Sequence, residues 1–260
     1  MVSRGVAGVE LQRVRLGGMP CDLVSRAGAE QLLLDAMRGV VPDPVLVASA
    51  NLDKVFHFGT GRPNEGFFDD SARRDQWVVL LDGAPLVTQA RRVAPGDWAR
   101  LAGADLLPVA LDLAAQTGAR VGFLGGNTAG NQALTGYLAT RWPALEVAGT
   151  WAPDSSTIDQ DGESVAAAVR AARTDVLVVA LTPRSESWLD RWAGEAGIRL
   201  GLAFGAAAQF MTGERRRAPA LLQRAGLEWA WRLATEPRRL ARRYLVEGPQ
   251  AYWILRRHSG

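Results

Sequence analysis

Cysteine is almost absent from this sequence, and its scarcity excludes several kinds of site. The one cysteine, Cys21, cannot form a disulfide within the chain, and no cysteine-rich metal centre can be built from it. A chain of 260 residues, 48% of them apolar, is long enough to bury a core without such cross-links. We therefore expect a folded protein of a reducing compartment.

Long apolar runs are also absent. No stretch reaches the roughly 18 uninterrupted apolar residues that a membrane-spanning helix needs. Residues 1–10 lack the apolar segment of a signal peptide. We expect a cytoplasmic protein that neither crosses a membrane nor is exported by that route.

Residues that build hydrolytic or metal centres are few. The two histidines, His57 and His258, are far apart in the chain, and no spacing typical of a zinc site or a Ser/His/Asp arrangement occurs. Asp159-Gln160-Asp161 has the spacing of a metal-binding DxD motif, but it follows no apolar run, and we interpret it as a solvated loop. The sequence disfavours hydrolases and metalloenzymes, and we predict no metal and no cofactor.

Lysine is nearly replaced by arginine, and the arginines cluster at the C-terminus. Residues 214–260 contain 11 Arg and 4 Glu, a net charge of +7, whereas the whole chain carries +3. Tryptophan and tyrosine alternate with these arginines, which suits a helix at an anionic membrane surface. A nucleic-acid surface and a solvated basic helix are the alternatives. Because residues 1–213 carry a net −4 and contain no motif that reads nucleic acid, we expect no nucleic-acid partner.

Short apolar runs alternate with amphipathic stretches along the first 213 residues. The brevity of the apolar runs and their turn-forming flanks predict buried strands, and the helical spacing of the longer stretches predicts helices. The predicted strands are Pro44–Ala50, Trp77–Leu81, Arg120–Leu124, Asp175–Leu181 and Ile198–Phe204, and the predicted helices include Ala27–Arg38, Leu106–Gln116, Thr128–Arg141 and Glu163–Arg173. This alternation indicates an α/β fold with a Rossmann-like, mostly parallel sheet.

The pattern changes after Gly213. From Arg215 onward the chain is rich in Arg and Trp at helical spacing, and Pro237 and Pro249 fit the first turns of two short helices. We predict two parts, an α/β core over residues 1–213 and a helical, membrane-associating appendage over residues 214–260. We call the second part the C-terminal appendage.

Ligands of parallel sheets bind at the carboxyl ends of the strands, so the residues after each run are the candidates for chemistry. Asp82-Gly83 places a carboxylate there, either as a general base or as an ordinary turn. The glycines of Val121 to Asn127 lie between a strand and a helix, where they fit a nucleotide loop and a tight turn equally well. The other candidates at strand ends are Ser49, Asn51, Pro183–Glu186 and Gly205–Gln209.

In chain order these pieces resemble the WecG/TagA/CpsF family of bacterial glycosyltransferases, glycosyltransferase family 26, over nearly the whole chain. The family's Thr-x-Asn, Asp-Gly, Arg-x-x-Gly-x-Asp and glycine loop are similar to Ser49-Ala50-Asn51, Asp82-Gly83, Arg100 to Asp105 and Phe123 to Gly126. The C-terminal signature is the most specific part, and it comprises Arg217-Ala-Pro219, Gly226-Leu-Glu-Trp229, Arg232-Leu233, Glu236-Pro-Arg-Arg239 and Arg242-Arg-Tyr244.

The resemblance implies an inverting glycosyltransferase that works without a DxD-bound metal. It would move a hexose or N-acetylhexosamine-type sugar from a UDP-sugar to a polyprenyl-diphosphate-linked saccharide at the inner face of the cell membrane. By the same resemblance Asp82 is the catalytic base and Arg242 a catalytic arginine. The remaining residues assigned by it bind the donor or its phosphates, namely Ser49, Asn51, Arg100, Gly125, Gly126, Ser185, Gln209, Arg232 and Arg239.

Two departures from the family pattern fall near the expected donor site. Ser185 stands where the family's Pro-x-Gln-Glu has Gln, and Gln209 stands where its Phe-Asp-Phe has Asp. They leave the donor sugar open, as the sequence also leaves the acceptor and the oligomeric state. Two rival functions remain at this point, a Rossmann-type oxidoreductase, which lacks GxGxxG here, and a non-enzymatic adaptor that uses the appendage alone.

Overall fold

The N-terminus forms a small antiparallel sheet that the sequence did not predict. In the computed structural model, which describes residues 2–154, 156–181, 183–215, 218–219, 221–222 and 228–260, this sheet has the order β1 (Val2–Val6), β2 (Val9–Leu16) and β3 (Met19–Leu23). Ala7-Gly8 and Gly17-Gly18 connect the strands, and all four residues have positive φ. Tight hairpin turns of this kind favour glycine, which has no Cβ to strain.

A six-stranded parallel sheet forms the centre of the molecule and confirms the predicted α/β fold. Its order is β5-β4-β9-β8-β6-β7, where the strands are β4 (Val45–Ala50), β5 (Trp77–Leu81), β6 (Val121–Gly125), β7 (Val147–Trp151), β8 (Val176–Ala180) and β9 (Leu200–Ala203). The five predicted strands are all present within two residues of their predicted bounds. β7 was missed; it is an edge strand that reads Val-Ala-Gly-Thr-Trp, and all five of its residues are only half-buried.

Helices cover both faces of the sheet. They are α1 (Arg26–Met37), α2 (Leu52–Phe58), α3 (Phe67–Asp70), α4 (Ala84–Val93), α5 (Gly103–Thr117), α6 (Thr128–Arg141), α7 (Ile158–Ala171), α8 (Ser185–Trp192), α9 (Ala207–Met211), α10 (Glu228–Thr235), α11 (Pro237–Arg242) and α12 (Gly248–Arg257). One π-helical turn, Arg243–Glu247, joins α11 to α12. Pro237 and Pro249 lie in the first turns of their helices, as predicted.

Alternation along each strand divides the core between the two faces. In β4, Val45 and Val47 pack with α1, α5 and α6, whereas Leu46, Ala48 and Ala50 pack on the opposite face. That opposite face also contains apolar residues of α2, α4, α7, α8 and the N-terminal sheet. The loops at the carboxyl ends of the strands therefore receive residues from both layers of helices.

The end of the C-terminal appendage is built into this core. Ala251 and Leu255 of α12 are fully buried in the same apolar cluster as α2. Arg15 and Gly260 exchange two backbone hydrogen bonds of 3.0 Å, and the Gly18 N–H donates to the carbonyl of His258 at 2.7 Å. Thus the C-terminus packs against the turn between β2 and β3. The division of the chain after residue 213 stays a prediction.

Asp22 of β3 joins the N-terminal sheet to the outer edge of β5. Its carboxylate accepts hydrogen bonds from Arg4 and Arg13 and also from the backbone N–H of Val79, the last at 2.9 Å. Arg13 in turn donates to the carbonyl of Trp77 at 2.8 Å. Side chains thereby occupy backbone groups that an edge strand would otherwise expose.

Replacement of Asp22 with asparagine should destabilise the fold without touching the strand-end residues. The amide keeps the shape of the carboxylate, but it leaves two largely buried guanidinium groups without their anion, so we expect a loss of about 2–3 kcal/mol in the free energy of unfolding. Urea denaturation measures this loss. Asp75→Asn, at an almost fully exposed carboxylate, is the matched control and should change stability little.

Candidate active site

Asp82 lies where β5 ends at the carboxyl edge of the sheet. Its backbone N–H donates to the carbonyl of Ala50 at 2.7 Å, so the pairing of β4 with β5 continues to this residue. Gly83 follows with a φ of 98°, a left-handed conformation that suits glycine, and α4 begins directly after it. This turn leaves the half-buried Asp82 carboxylate at the end of the strand.

Asn51 connects the end of β4 to Asp82. Its side-chain oxygen accepts the backbone N–H of Lys54 at 3.2 Å and thereby caps α2. Its side chain also hydrogen-bonds to Asp82, and since a carboxylate only accepts, the amide nitrogen donates. One asparagine thus fixes both the start of α2 and the orientation of the carboxylate.

Arg100 is held beside Asp82 by a backbone contact and two ion pairs. The N–H of the next residue, Leu101, donates to the carbonyl of Leu81 at 2.7 Å. The guanidinium pairs with Asp105 at 3.1 Å and with Glu228 of α10 at 3.4 Å. The two ends of the Arg100 to Asp105 motif therefore contact each other, and a residue of the C-terminal appendage completes the group.

Burial raises the pKa of Asp82 to about 6. The positive charge of Arg100 opposes this rise, as does the hydrogen bond from Asn51, whereas the negative charges of Glu228 and Asp105 add to it. At neutral pH the group is mainly ionised, yet it is a stronger base than an ordinary aspartate. Such a carboxylate is suited to accept a proton from a hydroxyl group.

Ser49 is buried near the same strand end. Its side chain is 7% exposed, and within the described part of the chain its hydroxyl has no hydrogen-bond partner. Side chains alternate along a strand, so Ser49 lies on the opposite face of β4 from Ala48 and Ala50. This is the face that α1 and α5 cover. A buried hydroxyl without a partner is costly, and a polar group of a ligand would remove that cost.

The glycine loop forms a second part of the edge. Gly125 and Gly126 both have positive φ, and Asn127 caps α6 by accepting the N–H of Gly130 at 2.8 Å. A side chain at Gly125 would collide with the backbone of Ala180. Close approach of backbone N–H groups to a helix start is the arrangement that holds phosphates and nucleotides.

A small cleft with a volume of about 30 Å³ opens beside this loop. Across it lie Gln209 of α9 and Glu214, whose side chains hydrogen-bond to each other at 3.2 Å. Glu214 was not among the predicted site residues, and it places a carboxylate near the start of α6 at Gly130. Gln209 therefore lines a cleft next to the glycine loop, and its role at the donor stays a prediction.

Ser185 and Glu186 have different surroundings from one another. The Ser185 hydroxyl is buried and accepts the N–H of Leu181 at 2.9 Å, so it closes the turn after β8. Glu186 is fully buried and forms an ion pair with Lys54 of α2. Lys54 is the chain's one lysine, and this was a signal that sequence reasoning left unused.

Three arginines, Arg215, Arg232 and Arg239, form a cluster near α9. The Arg232 guanidinium lies 5.4 Å from the ring centre of Phe210. Burial, together with the charges of Arg239 and Arg232, lowers the pKa of Arg215. Glu236 compensates part of this charge through a 2.6 Å contact with Arg239, a hydrogen bond that lowers the pKa of Glu236. The surplus of positive charge favours a phosphate group at this place.

Arg242 has a different ion-pair partner from Arg239. Its side chain is 85% exposed and pairs with Glu247 at 3.0 Å. The adjacent Arg243 instead reaches Asp53 of α2 at 3.0 Å, two residues after Asn51. Arg243 was not predicted as a site residue, although it belongs to the C-terminal signature. Arg217 and Gly226 of that signature lie outside the described residues.

The segment Asp159-Gln160-Asp161, which we predicted to be a solvated loop, is helical. Asp159 and Asp161 lie in the first turn of α7, where Asp159 pairs with Arg184 at 3.3 Å. The interpretation as a solvated loop was wrong, because α7 begins five residues before the start that we predicted. Within residues 2–154, 156–181, 183–215 and 228–260, His, Cys, Asp and Glu side chains form no group that could hold a metal ion.

Residues 14–259 match the family model described as Glycosyl transferase WecG/TagA/CpsF family. The chain belongs to this family. It is thus a glycosyltransferase of cell-surface polysaccharide synthesis, and the family in general implies a nucleotide-sugar donor and a lipid-linked acceptor. The match includes every residue that we predicted for the site, from Ser49 to Arg242.

Proposed function

We propose that this glycosyltransferase moves a hexose or N-acetylhexosamine-type sugar from a UDP-sugar to a polyprenyl-diphosphate-linked saccharide with inversion at the anomeric carbon. The observation that carries the proposal is the half-buried Asp82 carboxylate, which is oriented by Asn51 and has a pKa raised to about 6. A single displacement needs one general base, and Asp82 provides it at the end of β5.

The reaction itself is a direct displacement. Asp82 takes the proton of an acceptor hydroxyl while that oxygen forms a bond to the anomeric carbon. The bond between the anomeric carbon and the diphosphate oxygen breaks, and UDP leaves with its electron pair. Attack on one face and departure from the other inverts the configuration. Arg232 and Arg239 are the groups that we propose to stabilise the departing diphosphate.

The spacing of the site supports a long donor. Strands of a sheet lie about 4.8 Å apart, so β5 and β6, which are four strands apart, end about 19 Å from each other. Arg232 contacts Phe210, which follows the intermediate strand β9. The sugar at Asp82, the diphosphate near Arg232 and the nucleoside at the glycine loop would follow the order of a UDP-sugar. Ser49 and Arg100 would lie toward the sugar end.

The surface of the C-terminal appendage supports binding to an anionic membrane. Leu245, Val246 and Trp253 are 51% to 61% exposed, next to the exposed Arg242. Apolar and aromatic side chains beside arginine suit the headgroup region of a bilayer. No helix in the described part of the chain has the length and hydropathy of a membrane span. We propose a cytoplasmic enzyme that is peripheral on the inner face of the cell membrane.

Contacts of the C-terminal appendage with the core count against an adaptor that acts through the appendage alone. Glu228 pairs with Arg100, and Arg243 pairs with Asp53, so the appendage meets the residues around Asp82. No contact of this kind supports the other rival function, a Rossmann-type oxidoreductase.

A transfer assay tests the proposed function. The purified chain, reconstituted with anionic lipid, is incubated with a panel of UDP-sugars and lipid-diphosphate saccharides. We expect UDP release that depends on the acceptor, together with a lipid heavier by one sugar residue. Absence of any mass-shifted lipid across the panel, with the protein folded, would contradict the proposal.

A further inference from the structure

Glu228 brings a carboxylate of the C-terminal appendage into the group around Asp82. It is the first residue of α10, and its Oε2 lies 3.4 Å from Nη1 of Arg100, 128 residues earlier in the chain. Its side chain is 25% exposed, and that of Arg100 is 29% exposed. The pair is therefore partly shielded from water, which strengthens its electrostatic interaction.

Arg100 is shared between two carboxylates and faces a third. Nη2 of Arg100 donates a hydrogen bond to Asp105 at 3.1 Å, and Nη1 donates one to Glu228. The charged groups that act on Asp82 are Arg100 of the segment before α5, Asp105 of α5 and Glu228 of α10, and Asn51 adds its hydrogen bond. The ion pairs of Arg100 are thus with Asp105 and Glu228, and these two carboxylates, not Asp82, set the orientation of the guanidinium.

We propose that Glu228 is a positioning residue of the catalytic site, which holds Arg100 together with Asp105 and so prevents that guanidinium from pairing directly with Asp82. The inference rests on the proposed role of Asp82 as base. It assigns to the C-terminal appendage a task beyond phosphate and membrane contacts, because the appendage controls how basic the catalytic carboxylate is.

The sign of the effect follows from the charges. Glu228 raises the pKa of Asp82, and Arg100 lowers it. Loss of the Glu228 charge removes the first influence, and a neutral partner holds Arg100 less strongly, so the guanidinium can shift toward Asp82 and strengthen the second. Both changes lower the pKa of Asp82 toward that of an ordinary aspartate and make it a weaker base.

Glu228→Gln tests the inference in the full-length protein. The amide has the same shape and can still accept a hydrogen bond from Arg100, so folding should be retained. The Asp82 carboxyl carbon is titrated by NMR in protein with labelled aspartate, and its resonance is identified by its loss in Asp82→Asn. We expect the pKa of Asp82 to fall by about one unit. An unchanged pKa would overturn the inference.

Activity provides a second readout. In Glu228→Gln the acid limb of the pH profile of kcat should move to lower pH, and turnover on its plateau should fall severalfold. Glu195→Gln, the same change at an exposed glutamate, should alter neither the pKa nor the profile. A fall in turnover on the plateau without a shift of the acid limb to lower pH would also contradict the inference. Failure of the proposed function would instead appear as an active Asp82→Asn enzyme, whatever the NMR titration shows.

Discussion

Asp82→Asn is expected to lower the rate of sugar transfer by about 10³-fold or more. The amide keeps the hydrogen-bonding shape of the side chain but cannot accept a proton from the acceptor hydroxyl, and positioned general bases contribute about 10²- to 10⁴-fold. The fold should tolerate the neutral amide, because burial disfavours the charged form of Asp82 and is the largest cause of its raised pKa. Turnover with saturating donor and acceptor measures the effect.

A matched control separates loss of the base from loss of the fold. Asp97→Asn makes the same chemical change at a carboxylate that is 99% exposed, and it should leave turnover within twofold of the parent protein. Thermal unfolding of both variants should occur close to the parent temperature. Near-parental turnover by Asp82→Asn would remove Asp82 from the mechanism.

Arg242→Ala is expected to lower turnover by about 10²- to 10³-fold if Arg242 stabilises developing charge on a phosphate. It follows Arg239 by three residues in α11, and this spacing places both on one face of the helix. Its present partner is Glu247, and its high exposure leaves the guanidinium accessible to a lipid-linked diphosphate. The measurement uses a short-chain, water-soluble acceptor, so that membrane binding does not limit the rate.

The alternative role of Arg242 is a lipid contact, and the same variant distinguishes the two. A loss of tenfold or less with the soluble acceptor, accompanied by weaker binding to anionic vesicles, would assign Arg242 to the membrane surface. Arg238→Ala is the control, because it removes an exposed arginine from the same helix. It should leave turnover on the soluble acceptor nearly unchanged.

The strands that the sequence predicted are those whose side chains are apolar on both faces. β4, β5, β8 and β9 are buried between two layers of helices, and burial of this kind leaves an apolar run in the sequence. β2 reads Val-Glu-Leu-Gln-Arg-Val-Arg-Leu, and β3 contains Pro20 and Asp22. Arg13 of β2 and Asp22 of β3 are satisfied by contacts with β5 that only the folded chain provides.

The residues of the candidate site also divide into those that could be predicted from the sequence and those that were missed. Asp82, Asn51 and the glycine loop could be predicted because a strand end is a local feature of the sequence. Glu228, Glu214 and the Lys54–Glu186 pair were missed, because each of them acquires its role from a residue distant in the chain, which for Glu214 is Gly130 of α6. A local signal existed for Glu228, which lies within the Gly226 to Trp229 motif.

The pH dependence of kcat/KM for transfer is the most direct test of the account, because kcat/KM reports ionisations of the free enzyme. Asp82 must be ionised to act as base, and burial raises its pKa to about 6. The account predicts that kcat/KM is constant above that pH and falls about tenfold per unit below it, with the midpoint equal to the pKa from NMR titration of Asp82. A folded enzyme whose kcat/KM shows no ionisation between about pH 5 and 7 would contradict it.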